Sequence, residues 1–317
     1  MGSNMRRSLG VAAAAAVAVL GLAGCGSSAS ADDAAAAAGD PQTLVLAAIP
    51  SEDSESLQQQ YRLVAEVIEQ ETGHAVEFQN ATDYAAVIEG QRAGKVQIAG
   101  YGPFSYITAR DSGVETIPVA APVDAADAEP GYTSYAITKA GSDITSLADF
   151  RGKTVCFVDP SSTSGYLYPS AGLKEAGIDP EKDITPVFAG GHDASVLAVN
   201  SGQCDAGFAY DTIVDRTLIE KDQIEPGDVT VVWKSETIAA SPIAISATLS
   251  PELQAKLTTI FREQLTRPAL VQAGLCADEA SCALPEDAEY GYVAVEDSLY
   301  DGVRKVCDIT RAAACNN

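Results

Sequence analysis

The sequence predicts an α/β protein of two lobes with a ligand cleft between them. Short apolar runs alternate with amphipathic segments from Gln42 onward, as strands alternate with helices in βα units. The alternation restarts after Thr138, so the units fall into two groups. Apolar residues make up 46% of the 317 residues, enough for two cores of ordinary size. Ligand sites in such proteins collect at strand C-terminal ends and at domain junctions.

The first group opens with Thr43–Ile49, an apolar run ending before Pro50, as a buried parallel strand does. Leu57, Tyr61, Val64, Ala65 and Ile68 share one helical face, and Gly73 stops that helix. Ala75–Phe78 reads as a strand, and Tyr84–Ala93 as a helix capped by Thr82 or Asp83. A strand at Val96–Ala99, a helix at Phe104–Ser112 and a strand at Ser134–Thr138 follow. The second group pairs strands at Thr154–Val158, Ile184–Phe188 and Ala206–Ala209 with helices at Ser164–Ala176, Asp193–Ser201 and Thr212–Glu220. Strands at Val229–Trp233 and Ile243–Ser246 precede a long helix to Arg267, with Ser250 as cap and Pro251 in its first turn. Parallel-type sheets covered on both faces are expected.

Residues 1–24 read as an export signal. Arg6 and Arg7 precede an alanine-rich apolar run too short to span a bilayer. Leu22-Ala-Gly-Cys25 resembles a bacterial lipobox, which implies cleavage before Cys25 and lipid on its sulfur. Residues 25–41 would be a flexible tether, so the body is expected outside the cytoplasm, held to the membrane only through that lipid. A plain secreted protein is the alternative.

Lysine and arginine total 20 against 44 acidic residues, a formal net charge of −24. This excludes a duplex nucleic-acid binder, which needs a cationic footprint. It leaves room for a small anion, because a few aimed N–H groups outweigh a distant field. Only His74 and His192 are available as imidazole ligands, so neither a metal site nor a cofactor is expected. Besides Cys25 there are six cysteines, an even number that fits disulfides in an oxidising compartment. Cys276 with Cys282 and Cys307 with Cys315 would close small loops, leaving Cys156 with Cys204.

Asp159-Pro-Ser-Ser-Thr-Ser-Gly165 is the strongest local signal. It lies between a strand and a helix, where unpaired N–H groups, a positive helix end and the Ser162, Thr163 and Ser164 hydroxyls would seat an anion. The plain alternative is an ordinary helix cap. Gly190-Gly-His192-Asp193 occupies an equivalent turn, so His192 would donate to the same anion or merely cap its loop. Tyr101, in Tyr-Gly-Pro after a strand, and Tyr84, opening a helix, would face the cleft or serve as packing. Ser162, His192 and Asp211 could be drawn as a hydrolytic triad, but spacing supplies no geometry for one.

Taken together, Asp83-Tyr84, Ala99-Gly-Tyr-Gly-Pro103, Pro130-Gly-Tyr132, the 159–165 turn, Gly190-Gly-His192 and Trp233-Lys-Ser235 resemble the phosphonate-binding proteins of phosphate/phosphite/phosphonate ABC importers. The resemblance runs from about Leu44 to Leu265. It implies a two-lobed type II periplasmic binding protein fold, with lobe 1 at 42–135 plus 242–317 and lobe 2 at 136–241. It implies phosphonyl oxygens held by Ser162, Thr163, Ser164, Tyr84, Tyr101 and His192. It implies no enzymatic activity, and a permease and ATPase as partners of a monomer. A hinge is expected near Ser134–Ile137 and Ala240–Ile243.

Aminoethylphosphonate binders of this family offer two carboxylates to the ligand ammonium, at positions aligning near Thr212 and Ser241. Only the neighbouring Asp211 is acidic here, with Asp215 and Glu236 as substitutes if the alignment slips. A buried ammonium without paired anions is costly. Phosphite or methylphosphonate is therefore expected, with a protonated P–OH donating to Asp211, while phosphate would have to fit a fourth oxygen that needs a hydrogen-bond partner. The alternatives are another oxyanion or a vitamin precursor on the same fold, or an exported serine hydrolase. The tail from Leu275 is expected to lie on the outer surface, stapled by disulfides.

Overall fold

The computed structural model describes residues 39–285 and 287–315. The chain divides into Met1–Gly39 and Asp40–Asn317, and every element below belongs to the second unit. The export signal at 1–24, the lipid-accepting Cys25 and most of the 25–41 tether lie outside the described residues.

Elements follow in chain order: β1 (Thr43–Ala48), α1 (Ser54–Gln60), α2 (Arg62–Thr72), β2 (Ala75–Asn80), α3 (Tyr84–Arg92), β3 (Ile98–Gly100), α4 (Pro103–Asp111) and β4 (Thr116–Val123). Next come β5 (Gly131–Tyr132), β6 (Ser134–Lys139), β7 (Thr154–Phe157), a π turn at Thr163–Leu167, α5 (Tyr168–Glu175), β8 (Thr185–Phe188), α6 (His192–Ser201) and β9 (Ala206–Tyr210). A π turn at Ile213–Thr217 leads into α7 (Leu218–Glu220), β10 (Val229–Lys234), β11 (Ile238–Ala239) and β12 (Ile243–Ser246). The chain ends with α8 (Pro251–Thr259), a π segment at Ile260–Gln264, α9 (Arg267–Gln272), β13 (Gly291–Ala294) and α10 (Asp301–Thr310).

One sheet has the order β13-β4-β12-β3-β1-β2 and the other β10-β6-β9-β7-β8. The βα units pair in parallel, β1 with β2 and β3, and β7 with β8 and β9. The sheets are nevertheless mixed, because β12, β13, β6 and β10 enter antiparallel. Apolar clusters cover both faces of each sheet. Leu44, Leu46, Ile68 and Leu257 pack on one face of the first sheet, and Val87, Phe104 and Tyr106 on the other. Ile137, Val196 and Leu218 flank one face of the second sheet, and Phe150, Leu173 and Phe208 the other. The chain passes between sheets twice, and the passing segments pair as the ribbon β5–β11, Ile238 opposite Tyr132.

Local signals explain the helix ends. Asp83 caps α3 by accepting the Ala86 N–H, Gly73 ends α2 at φ 75°, and Ser250 caps α8 by accepting the Leu253 N–H. The structure departs from the sequence reading at several places. The helix read as continuous from Leu57 breaks at Tyr61 into α1 and α2. The long helix after Pro251 is interrupted, and α9 is capped separately by Thr266. β4 escapes a pattern reading because Pro118 and Pro122 argue against a strand; it is accommodated beside a register shift at Ile243/Ala244.

The tail is not an outer appendage. β13 extends the first sheet, and α10 buries Val303, Val306 and Cys307 in the cluster that holds Tyr106 of α4 and Leu167 and Tyr168 at the start of α5. Lys174 Nζ of α5 donates to the Thr310 carbonyl. The cysteines pair as Cys156–Cys204, Cys276–Cys282 and Cys307–Cys315, with Cα separations of 5.8, 5.3 and 5.6 Å. No helix among the described residues is long and apolar enough to cross a membrane.

Candidate functional site

The turn after β7 is built to leave amides free. Ser162 N–H donates to the Asp159 carbonyl and Ser161 N–H to the Asp159 carboxylate. Ser162 Oγ accepts the Gly165 N–H at 3.0 Å, and its carbonyl accepts the Leu167 N–H. The Thr163 and Ser164 N–H groups lie between these bonds, at the positive end of the π turn and α5. Glycine is required at 165, because a Cβ there would collide with the Val158 side chain and Ser162 Oγ.

Thr163 Oγ1 accepts the Phe104 N–H at 2.8 Å, a bond from the start of α4 across to the second sheet. The Ser164 carbonyl accepts from Ser134 Oγ at 2.6 Å. Tyr84 enters from α3 with its hydroxyl facing Ser162, buried and without a hydrogen-bond partner. Tyr132 on β5 presents its hydroxyl to the Thr163 and Ser164 hydroxyls. Burial pushes both phenols up, so both remain donors.

His192 is the first residue of α6 and is buried. Its Nδ1 accepts the Tyr210 N–H at 3.2 Å. A backbone amide can only donate, so Nδ1 carries no proton and the neutral ring holds it on Nε2. Nε2 lies 3.5 Å from Ser162 Oγ. Burial pushes the imidazole down to about 3. His192 is thus an uncharged donor aimed at the turn.

These groups line a cavity of about 210 Å³ together with Thr212 and Ser241. The lining contains Glu52, Asp124, Glu129 and Asp287 but no lysine or arginine. An anion here is held by amides, hydroxyls and a helix end rather than by a cation. Among the described residues no group of His, Cys, Asp or Glu could hold a metal.

Two residues singled out from the sequence are placed differently. Tyr101 lines the cavity, but its hydroxyl donates to Gln91 Oε1 at 3.0 Å and is turned into α3. Asp211 does not line the cavity. Its two carboxylate oxygens accept the Thr133 and Thr212 N–H groups, each at 3.0 Å, so it braces the β5–β6 turn. Asp215 accepts from Tyr135, and Glu236 lies outside this lining. The drawn triad does not form, since Nδ1 of His192 faces an amide donor rather than a carboxylate. Tyr132 is the residue the sequence reading missed as a donor, although Pro130-Gly-Tyr132 belonged to the resemblance.

The model of the family described as "ABC transporter, phosphonate, periplasmic substrate-binding protein" matches residues 46–272. The chain belongs to this phosphonate-binding family. The phosphate-import protein PhnD of Mycolicibacterium smegmatis is 45% identical over 290 residues, covering 89% of this chain and 90% of that protein. The phosphonates-binding periplasmic protein of Escherichia coli is 31% identical over 217 residues, 67% of this chain and 63% of that one. A binding-protein component of an ABC phosphonate transporter from Pseudomonas aeruginosa superposes with a TM-score of 0.74 at 27% identity, over 88% of this chain and 90% of that one. PhnD1 of Prochlorococcus marinus, solved with methylphosphonate, gives 0.72 at 18% identity over 86% and 100%, a likeness of fold. The fold is the two-lobed type II binding-protein fold, with the ligand cleft between lobes. The family is that of extracytoplasmic substrate-binding components of ABC phosphonate transporters, carriers rather than enzymes, which work with a permease and an ATPase.

Proposed function

We propose that the protein captures a small phosphorus oxyanion without an ammonium group, inorganic phosphate first and phosphite or methylphosphonate second. Three oxygens would meet the Thr163 and Ser164 amides, the Ser162, Tyr84 and Tyr132 hydroxyls and Nε2–H of His192. The observation that carries the reading is that Thr212 and Ser241 line the same cavity. At these positions aminoethylphosphonate binders would offer carboxylates, whereas a hydroxyl donates to P–O⁻ or accepts from P–OH. That suits a fourth oxygen better than a methyl or hydrogen, and it moves phosphate ahead of the ligands expected from sequence. The 45% identical relative is named for phosphate import, which supports the same order. Lipid on Cys25 would tether a monomeric carrier to the outer face of the membrane.

Calorimetric titration of ligand-stripped mature protein with phosphate, phosphite, methylphosphonate, aminoethylphosphonate and sulfate tests this. Phosphate is expected to bind most tightly and aminoethylphosphonate weakly. A preference for aminoethylphosphonate would reverse the argument from Thr212 and Ser241. Silence across the phosphorus compounds from folded protein would remove the phosphorus reading.

A further inference from the structure

Glu52 is a carboxylate in the lining of an anion cavity, and its side chain is only 4% exposed. Asp124 and Glu129, also in the lining, are exposed to water. A bare buried carboxylate beside an oxyanion would oppose binding strongly. Glu52 is not bare. Lys221 Nζ lies 2.5 Å from its Oε2. Gln60 Nε2 donates to Oε1 at 2.7 Å, and Ser56 Oγ donates to Oε2 at 3.0 Å. Lys221 also reaches Ser56 Oγ at 2.7 Å.

The two charges come from opposite sides of the cleft. Glu52 follows β1 of the first sheet, and Lys221 follows α7, which packs on the second. One residue before Glu52, the Ser51 carbonyl accepts the His192 N–H at 2.8 Å. The contact that carries Lys221 to Glu52 is therefore continuous with the helix that carries His192.

We propose that Lys221 is a positioning residue that neutralises Glu52 as the lobes meet, so that the cavity tolerates an anion only when the cleft is closed. Lys221 is outside the cavity lining and acts through Glu52. The ion pair also latches the closed form. This rests on the phosphorus-oxyanion reading for its ligand but not for the latch.

The test compares wild type, Lys221→Met, Lys221→Arg and the double variant Lys221→Met/Glu52→Gln. Phosphate affinity is read by calorimetry and cleft opening by small-angle X-ray scattering of ligand-free protein. Lys221→Met is expected to weaken phosphate about ten- to a hundred-fold, because it leaves a buried charge unpaired. Lys221→Arg should stay near wild type. The double variant should regain most of the lost affinity, which a merely structural role of Lys221 would not produce. Ligand-free Lys221→Met should scatter as a more open particle. An unchanged affinity in Lys221→Met, or a double variant as weak as the single, overturns the proposal. Should wild type bind no phosphate, the ligand reading fails by itself. Scattering then decides the latch, and an unaltered profile for Lys221→Met overturns it.

Discussion

Tyr210 N–H and His192 Nδ1 lie 3.2 Å apart, and this bond occupies the ring nitrogen on which a second proton would have to sit. Together with burial it keeps the imidazole neutral, pushed down to about 3. A histidine depressed below its ordinary value contributes stability that is complete above the unfolded value and lost as pH falls toward the folded one. Unfolding in urea should therefore show wild type losing about 2 kcal/mol relative to His192→Gln between about pH 7.5 and about pH 5. A difference between the two proteins that does not move with pH would contradict this account of His192.

Tyr84 gives the opposite signature for fold and ligand. Its buried hydroxyl lines the anion cavity and makes no close hydrogen bond that the fold depends on. Tyr84→Phe should leave the ligand-free protein as stable as wild type or more so, and weaken phosphate about tenfold. Thermal melting and calorimetry on the same sample read both effects. A stability loss with full affinity would show that the hydroxyl serves the fold instead.

Restoring acids at the substituent side should invert selectivity. Thr212→Glu with Ser241→Asp is expected to weaken phosphate by about tenfold or more through like-charge repulsion, and to improve aminoethylphosphonate. Competition between the two ligands reads the change as a ratio. If phosphate keeps its lead in the double variant, these positions do not face the substituent.

Association should quicken with salt. The chain carries a formal charge of −24, and the cavity lining adds Asp124, Glu129 and Asp287 without a lysine or arginine. A dianion approaches against this field, which salt screens over about 10 Å at 0.1 M. Stopped-flow rates measured from low to moderate ionic strength should rise. A falling rate would reveal an attractive patch that outweighs the carboxylates.

Much of the architecture was legible in the sequence because βα units declare themselves by period and cap. Asp83, Gly73 and Ser250 each did what their residue type favours. β4 was hidden by its own prolines. β5 has two residues, too few for a period, and so Tyr132 carried no local sign of its role. The tail helix did carry a sign, since Val303, Val306, Cys307 and Thr310 share one helical face. For the site, residue type alone singled out the Ser162-Thr163-Ser164 turn as an anion seat, whereas Tyr84 and His192 entered as ligand donors only through the family resemblance. Neither could say where a side chain turns. Tyr101 and Asp211 lie at the right places in the chain, but Gln91 and two backbone amides claim their polar atoms.

The bond from Phe104 N–H to Thr163 Oγ1 has a consequence for the entropy of recognition. A threonine hydroxyl in an open cleft is a free rotor whose proton points in many directions. Once the amide of α4 occupies a lone pair on Oγ1, the O–H is turned away from Phe104. The contact between α4 and the turn after β7 thus holds an otherwise spinning hydroxyl in a narrower range of directions. Part of the entropy of ordering this side of the cavity is then settled by the protein's own contact rather than by the ligand.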